Sequence, residues 1–147
     1  MFLWHGTYFD CKDNILKDKM LKCCNKIGET TKELNDLFET HIRVNPRKNC
    51  IYFSGDSESA DGFDYAFKVD TCNLNTDKLF VGDYRLLDDV LCSMDNDEII
   101  KLLQQYKDTL IRFDEYLNNT HNYLNRDIWE LEFLYFDNVK VTSKNLD

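Results

Sequence analysis

Short apolar runs and helically spaced apolar positions alternate along the chain, and together they predict both strands and helices. Strands are predicted where aromatic or β-branched runs stand between turn residues: 1–5, ended by Gly6, then 50–53, 65–69, 78–81, and 129–141 with a turn at Asp137-Asn138. Helices are predicted at 9–21, around Leu34, Leu37 and Phe38, as a short capped segment after residue 53, at 84–92, and at 97–123, the longest. Because strands and helices do not alternate regularly, the expected class is α+β with mostly antiparallel strands.

Length and composition indicate one folded domain spanning residues 1–147. A chain of 147 residues with 43% hydrophobic and 14% aromatic residues is long and apolar enough to bury a core. The net charge is −9, and the lysines and arginines are scattered among more numerous acids. Nucleic acid is therefore a less favoured partner, because binding it usually needs a basic stripe. No apolar run is long enough to span a membrane, and no membrane partner is expected.

The cysteines favour a reduced, cytoplasmic protein without a metal centre. No basic and apolar leader with a cleavage site opens the chain, so the expected location is the cytoplasm, where thiols stay reduced. No C-x-x-C pair occurs, and His41 and His121 lack the ligand spacing of a zinc site. The six cysteines are Cys11, Cys23, Cys24, Cys50, Cys72 and Cys92.

Three short segments carry the functional signal. "LWHGT" (3–7) leads into "NILKDKMLK", "IYFSGDSESADGF" (51–63) follows a lysine-containing turn, and "EFLYFDNVKV" (132–141) comes near the end. In this order they resemble the ADP-ribosyltransferase superfamily, in its poly(ADP-ribose) polymerase-like His-Tyr-Glu branch. The resemblance covers both ends and the middle of the chain but little from 78 to 127. It implies a pair of small, mostly antiparallel sheets with flanking helices and NAD bound between them.

The resemblance assigns a role to each matched residue. Glu132 would stabilise the positive charge that develops on the ribose as the bond to nicotinamide breaks. His5 would hydrogen-bond the adenosine ribose with support from Thr7, and the Gly6 backbone would hold the nicotinamide amide. Tyr52 would pack on the nicotinamide ribonucleotide. Further NAD contacts would come from a carboxamide-binding serine and a stacking ring, at Ser59 and Phe63.

Alternatives stay open at several of these positions. Glu130 has the same strand parity as Glu132 and could be the catalytic carboxylate instead. The stretch around Phe63 is one residue shorter than the family pattern, has Phe63 in place of a tyrosine and includes Gly62, so Tyr65 is a second candidate for the stacking ring. Taken alone, each of these residues has an ordinary structural explanation, as a solvated strand face or a core side chain.

The function implied by the resemblance is mono-ADP-ribosyl transfer from NAD to a target, with a protein as the favoured acceptor. A short chain leaves little room to hold a growing polymer. The resemblance allows a role as a toxin, effector or anti-defence factor. The alternatives are transfer to nucleic acid, NAD hydrolysis, or a catalytically inactive binding or inhibitor module on the same fold. The oligomeric state is not predicted.

Overall fold

The computed structural model describes residues 1–23, 28–118 and 125–147. Within these ranges the helices are α1 (Phe9–Asp18), α2 (Glu29–His41), α3 (Tyr84–Cys92), α4 (Asn96–Thr109) and α5 (Phe113–Asn118). The strands are β1 (Phe2–Thr7), β2 (Met20–Leu21), β3 (Ile51–Ser54), β4 (Tyr65–Asp70), β5 (Leu79–Asp83), β6 (Ile111–Arg112), β7 (Leu131–Tyr135) and β8 (Val139–Lys140). Short 3-10 turns include Glu58–Ala60 and Ile128–Glu130.

Among the described strands, six form one sheet and two form a small second one. The order in the large sheet is β4-β1-β3-β7-β5-β6, and β2 pairs with β8. Every ladder is antiparallel, which confirms the predicted α+β class with mostly antiparallel strands.

The register of the large sheet divides its side chains between two faces. Trp4 pairs with Ser54, Ser54 with Glu132, and Glu132 with Gly82, so these four residues form a row on one face. Because side chains alternate along a strand, the neighbouring row with Phe53, Phe133 and Val81 lies on the other face. Glu132 therefore lies near the middle of the sheet, on the face that it shares with Trp4 and Ser54.

Each face of the sheet is covered by its own hydrophobic cluster. On the Phe53 face the cluster includes side chains from α1 and α5, such as Ile15 and Phe113. The second cluster joins α2, α3 and α4, with Phe38 and Tyr106 among its fully buried members. Tyr106 brings this helical layer onto the Glu132 face, since its hydroxyl contacts both Gly82 and Glu132.

The first predicted strand and helix end at different residues from those expected. Gly6 does not end β1, because it pairs with Ala66 of β4. The first helix stops at Asp18, since Lys19 adopts a left-handed φ of 54°. Met20 then opens β2, which pairs with β8.

The longest predicted helix, 97–123, is divided in the structure. α4 ends at Thr109, and Ile111–Arg112 forms β6, which pairs with Phe80 and Val81 of β5 before α5 begins. Residues 119–123 of the prediction lie outside the described part of the chain. Helical spacing of apolar residues did not reveal this break, because the pairing with β5 is a long-range effect.

Aspartates define the starts of the two helices beside the site. Asp83 accepts a hydrogen bond from the Arg85 N–H at 3.1 Å to cap α3, which spans the residues predicted for it. Asp95 accepts from the Asp97 N–H at 3.0 Å to cap α4. These caps satisfy amides that a helix leaves unpaired at its start.

Candidate functional site around Glu132

Glu132 is a buried carboxylate with two strong partners. Its side chain is on β7, and the residue is 5% exposed. Arg47 holds it in a two-point ion pair, with Nε 2.9 Å from Oε2 and Nη2 2.8 Å from Oε1. The Tyr106 hydroxyl donates a further, short hydrogen bond to Oε2. Both carboxylate oxygens are therefore engaged by protein groups.

Arg47 reaches this position from the segment between α2 and β3. Its backbone N–H donates to Asn45 Oδ1 at 3.0 Å, which forms a tight turn at Pro46. Its carbonyl accepts hydrogen bonds from the Tyr52 hydroxyl at 2.7 Å and from the Cys50 thiol at 3.2 Å. Arg47 thus contacts two of the predicted catalytic residues, Tyr52 through its backbone and side chain and Glu132 through its side chain.

The guanidinium of Arg47 lies between an aromatic ring and a carboxylate. Its Cζ atom is 4.7 Å from the centre of the Tyr52 ring, and its nitrogens bind Glu132. Burial is the largest single effect and disfavours the charged guanidinium, but the charge and hydrogen bonds of Glu132, together with Tyr106 and Tyr52, raise the pKa of Arg47 above its usual range. A planar cation is therefore held charged between an aromatic face and a carboxylate.

Burial and the Glu132 charge keep the surrounding acidic groups protonated. They raise the pKa of Tyr106 well above its usual range, with burial the larger cause. Burial, followed by the charge of Glu132, raises the pKa of the Cys50 thiol to about 12. Burial is also the largest cause of the raised pKa of Tyr52. Glu132 is therefore surrounded by neutral donors and one cation.

Gly82 explains how Tyr106 reaches the carboxylate. A Cβ atom built on Gly82 would come within 2.4 Å of the Tyr106 hydroxyl oxygen. Only a residue without a side chain leaves room for this close approach. The glycine on β5 and the tyrosine on α4 together close one side of the Glu132 site.

His5 lies on the opposite face of the sheet from Glu132. Trp4 shares the face of Ser54 and Glu132, so the next residue on β1 points the other way. The His5 ring packs edge-on against Phe53, with ring centres 5.9 Å apart. Its Nδ1 donates to the Tyr52 carbonyl at 2.8 Å, and burial lowers its pKa although that bond opposes the shift. The structure thus links His5 to the Tyr52 backbone, while the imidazole and the carboxylate do not share one face.

Phe63 and Tyr65, the two candidates for a stacking ring, lie on different faces. Phe63 covers Gly6, where a built Cβ would come within 2.2 Å of the ring, and it also contacts the Tyr8 ring at 5.0 Å. Tyr65 pairs with Thr7 on the other face, and its ring is covered by Lys12 Nζ at 4.0 Å. Of the two, Phe63 lies against the glycine that was expected to leave room for a ligand.

The remaining candidates are Thr7, Ser59 and Glu130. Thr7 is 5% exposed at the end of β1, and Ser59 lies exposed in the 3-10 turn Glu58–Ala60, where its N–H donates to Asp56 Oδ1 at 2.7 Å. Glu130 is not on a strand as predicted, because the 3-10 turn before β7 contains it. Its carboxylate accepts from Arg85 at 3.1 Å and from the Asp127 N–H at 3.1 Å, so it caps this turn beside α3.

A cavity of about 370 Å³ opens beside Tyr52 between α2 and the Arg47 segment. Asn35 is one of the residues that line this cavity, and its Oδ1 is buried without a hydrogen-bond partner among the described residues. Its wall is formed by Cys23, Lys32, Asn35, Asp36, Glu39, Asn45, Lys48, Asn49, Cys50 and Tyr52. Tyr52 thus lines this cavity and also contacts the Arg47 guanidinium.

Other kinds of site are not indicated by the described residues. They contain no cluster of three or more His, Cys, Asp or Glu side chains arranged to hold a metal ion. Cys50, Cys72 and Cys92 are free thiols, and the first of them is buried. Cys24 and His121 lie outside the described residues. Across the described ranges, no helix is both long and apolar enough to cross a membrane.

The sequence did not identify Arg47 or Tyr106 as part of the site. Arg47 lies 85 positions from Glu132, in a polar stretch typical of an exposed loop. Tyr106 has the spacing of a core residue on α4, and that pattern gives no sign of its hydrogen bond. Proline at 46, just before a basic residue and a buried strand, is the one local feature that indicates a defined turn in this segment.

Comparisons of the chain with models of known protein families, with curated proteins and with solved structures found no match.

Proposed function

We propose that the protein is a mono-ADP-ribosyltransferase that cleaves NAD and passes ADP-ribose to a protein acceptor. The observation that carries the proposal is the arrangement of Tyr52 and Glu132, whose ring and carboxylate together hold a planar cation. NAD carries a planar cation of this kind in its nicotinamide ring. In the proposal, Tyr52 and Glu132 offer an aromatic face and a negative charge to the charged end of NAD, at the place that Arg47 fills in this structure.

The same arrangement suits the reaction. Breaking the bond between nicotinamide and ribose places positive charge on the sugar, as in glycoside hydrolysis. A carboxylate fixed on the middle strand of a sheet stabilises that charge without having to reorganise. Glu132 is fixed in this way by its place on β7 and by the Tyr106 hydroxyl. In the proposal Glu132 stabilises the ribosyl cation, and the Tyr52 ring packs on the departing nicotinamide.

The strands that carry the three matched residues are neighbours in the sheet, although His5 lies on the face opposite Glu132. His5, Tyr52 and Glu132 belong to β1, β3 and β7, which are adjacent strands. Gly6 and Phe63 pack directly against each other at the far end of β1, so the proposal gives the stacking role to Tyr52 and not to Phe63. The role of His5 is less direct, because its imidazole supports Tyr52 through the Tyr52 carbonyl. The proposal therefore assigns the bond-breaking step to Glu132 and Tyr52, and a positioning role to His5.

Charge supports a protein acceptor over nucleic acid. With a net charge of −9 the chain repels phosphate backbones at long range and attracts basic protein surfaces. An acceptor with a basic surface, such as a nucleic-acid-binding protein, would be attracted by this negative charge.

The test is release of nicotinamide from NAD by the full chain, compared with two matched variants. Glu132→Gln is expected to lower turnover by about 100-fold or more, because the carboxylate stabilises the charge that develops in the transition state. Glu130→Gln, a change of the same size two residues away, is expected to retain turnover. Circular dichroism of both variants checks folding, since Glu132→Gln also weakens the pair with Arg47.

Equal turnover by wild type and Glu132→Gln would contradict the proposal, and so would loss of turnover in Glu130→Gln alone.

The second candidate function is a catalytically inactive binding module. It is favoured by the engagement of both Glu132 oxygens, which leaves a 5% exposed carboxylate. Absence of nicotinamide release and of any NAD-dependent label on lysate proteins would support this second candidate.

A further inference from the structure

Arg47 occupies the position in which the proposed reaction needs to hold a cation. Its guanidinium lies over the Tyr52 ring at 4.7 Å and binds both oxygens of Glu132 at 2.8 and 2.9 Å. We propose that Arg47 is an internal competitor for this cation site, so that the structure is an autoinhibited state from which a substrate cation must displace it. This inference rests on the proposed function and adds a means of regulation to it.

The competition follows from the number of lone pairs on the carboxylate. Oε2 accepts from Arg47 Nε and from the Tyr106 hydroxyl, and Oε1 accepts from Arg47 Nη2. Each carboxylate oxygen has about two acceptor positions. With Arg47 in place, Glu132 therefore has at most one position left, and the residue is 5% exposed.

The Arg47 guanidinium and the pyridinium ring that would displace it are similar in shape and charge. A guanidinium and a pyridinium are both flat, singly charged and weakly hydrated, and both stack on aromatic faces. The pyridinium of NAD has no N–H to donate, so it would offer Tyr52 a stacking face and Glu132 only its positive charge, in the space that the guanidinium now fills. Exchanging one for the other leaves the charge next to Glu132 unchanged, so the carboxylate never becomes an unpaired buried ion.

The placement of Arg47 on a connecting segment allows its side chain to leave without disturbing the sheet. No strand among the described residues pairs with the segment between α2 and β3, and Arg43 and Asn49 in it have left-handed φ angles of 59° and 60°. The cavity of about 370 Å³ beside Tyr52 is lined by members of the same segment, including Asn45 and Lys48. Departure of the guanidinium would open the Tyr52 face next to that cavity.

The test uses 1-methylnicotinamide, a planar pyridinium that cannot donate ADP-ribose. Its binding is titrated by NMR with wild type, Arg47→Ala and Arg47→Ala/Glu132→Gln, and uncharged nicotinamide serves as the comparison probe. We expect at least about tenfold tighter binding of the cation to Arg47→Ala than to wild type. Binding is expected to fall back in the double variant, and nicotinamide is expected to show no such gain.

Arg126→Ala is the matched control, since Arg126 also pairs with a buried carboxylate, its Nε donating to both oxygens of Asp83 at 3.0 and 3.1 Å. It should bind the probe like wild type. Equal affinity of wild type and Arg47→Ala would overturn the inference, as would tight binding that persists without Glu132 or appears equally in Arg126→Ala.

A variant that keeps the positive charge protects the test against misfolding. If Arg47→Ala lacks the circular dichroism of the folded chain, Arg47→Lys replaces it, because lysine keeps the charge but not the planar fork. It should bind the probe at least about threefold more tightly than wild type, and unchanged affinity would overturn the inference. The predicted probe binding without nicotinamide release from NAD by any variant would reject the transferase but retain the competition.

Discussion

At the scale of single residues, the central feature is one carboxylate that holds several buried groups together. Glu132 receives hydrogen bonds from Arg47 and Tyr106, and Arg47 in turn receives those of Tyr52 and Cys50. Buried ion pairs of this kind add little net stability, but removing one partner is costly because the other charge remains buried. The network therefore defines a precise local geometry rather than supplying most of the stability.

The first prediction concerns the Tyr106 hydroxyl. Tyr106→Phe removes a hydrogen bond to a charged, buried acceptor, so the free energy of unfolding should fall by about 1.5–3 kcal/mol. The matched change Tyr135→Phe removes a neutral bond, in which the tyrosine oxygen accepts from the Asn75 N–H at 3.0 Å. It should cost about 0.5–1.5 kcal/mol. Urea unfolding measures both, and a larger loss for Tyr135→Phe would refute this reading of the network.

The second prediction concerns His5 and pH. Burial lowers the pKa of folded His5 below the value of about 6.5 that it has in the unfolded chain. Below pH ~6.5 the unfolded state then binds more protons than the folded state, so stability falls as the pH decreases through this window. His5→Asn keeps a donor for the Tyr52 carbonyl but has no titrating ring. It should lose less stability between about pH 7 and 5 than wild type does, and identical pH profiles in urea unfolding would contradict the prediction.

The sequence predicted some of these residues and could not predict others. Glu132, Tyr52 and His5 stand within recognisable apolar strands, and motif order singled them out as candidates. Arg47 was missed because its burial depends on a partner 85 positions away. The face on which His5 lies depends on the register of β1 against β3, and no local pattern specifies that register.

At the scale of elements, local sequence signals were sufficient to predict a helix where no distant strand pairs with the same residues. α3 begins at an aspartate cap and spans the predicted residues, Tyr84–Cys92. The predicted helix 97–123 was wrong in its middle, where Ile111 pairs with Val81 of β5. Glu130 was wrongly placed on the last strand, since its side chain bonds back to the Asp127 N–H and closes a 3-10 turn.

The third prediction tests the contact between α4 and β5. Gly82→Ala would place a Cβ within 2.4 Å of the Tyr106 hydroxyl oxygen, and Tyr106 is fully buried and cannot swing aside freely. The free energy of unfolding should fall by about 1–3 kcal/mol. Gly62→Ala, where a built Cβ meets nothing within 4 Å, is the matched control and should stay within about 0.5 kcal/mol of wild type. Equal stability of the two variants would rule out close packing at Gly82.

At the scale of the whole molecule, one sheet separates two hydrophobic clusters and carries a buried charge network on one side. The cluster with Phe53 and Phe113 covers one face of the sheet. The cluster with Phe38 and Tyr106 holds together the helical layer that lies on the other face. The general α+β class was predictable from the order of apolar patterns. The strand order β4-β1-β3-β7-β5-β6 was not, because antiparallel neighbours far apart in sequence leave no local signal.

The most direct measurement is a crystal structure of the full chain with a non-hydrolysable NAD analogue that keeps the pyridinium ring. The proposed function and the role of Arg47 together predict the ring over Tyr52, the ribose hydroxyl on Glu132, and the Arg47 guanidinium withdrawn from the carboxylate. An analogue bound elsewhere, with Arg47 still 2.8 and 2.9 Å from Glu132, would contradict both.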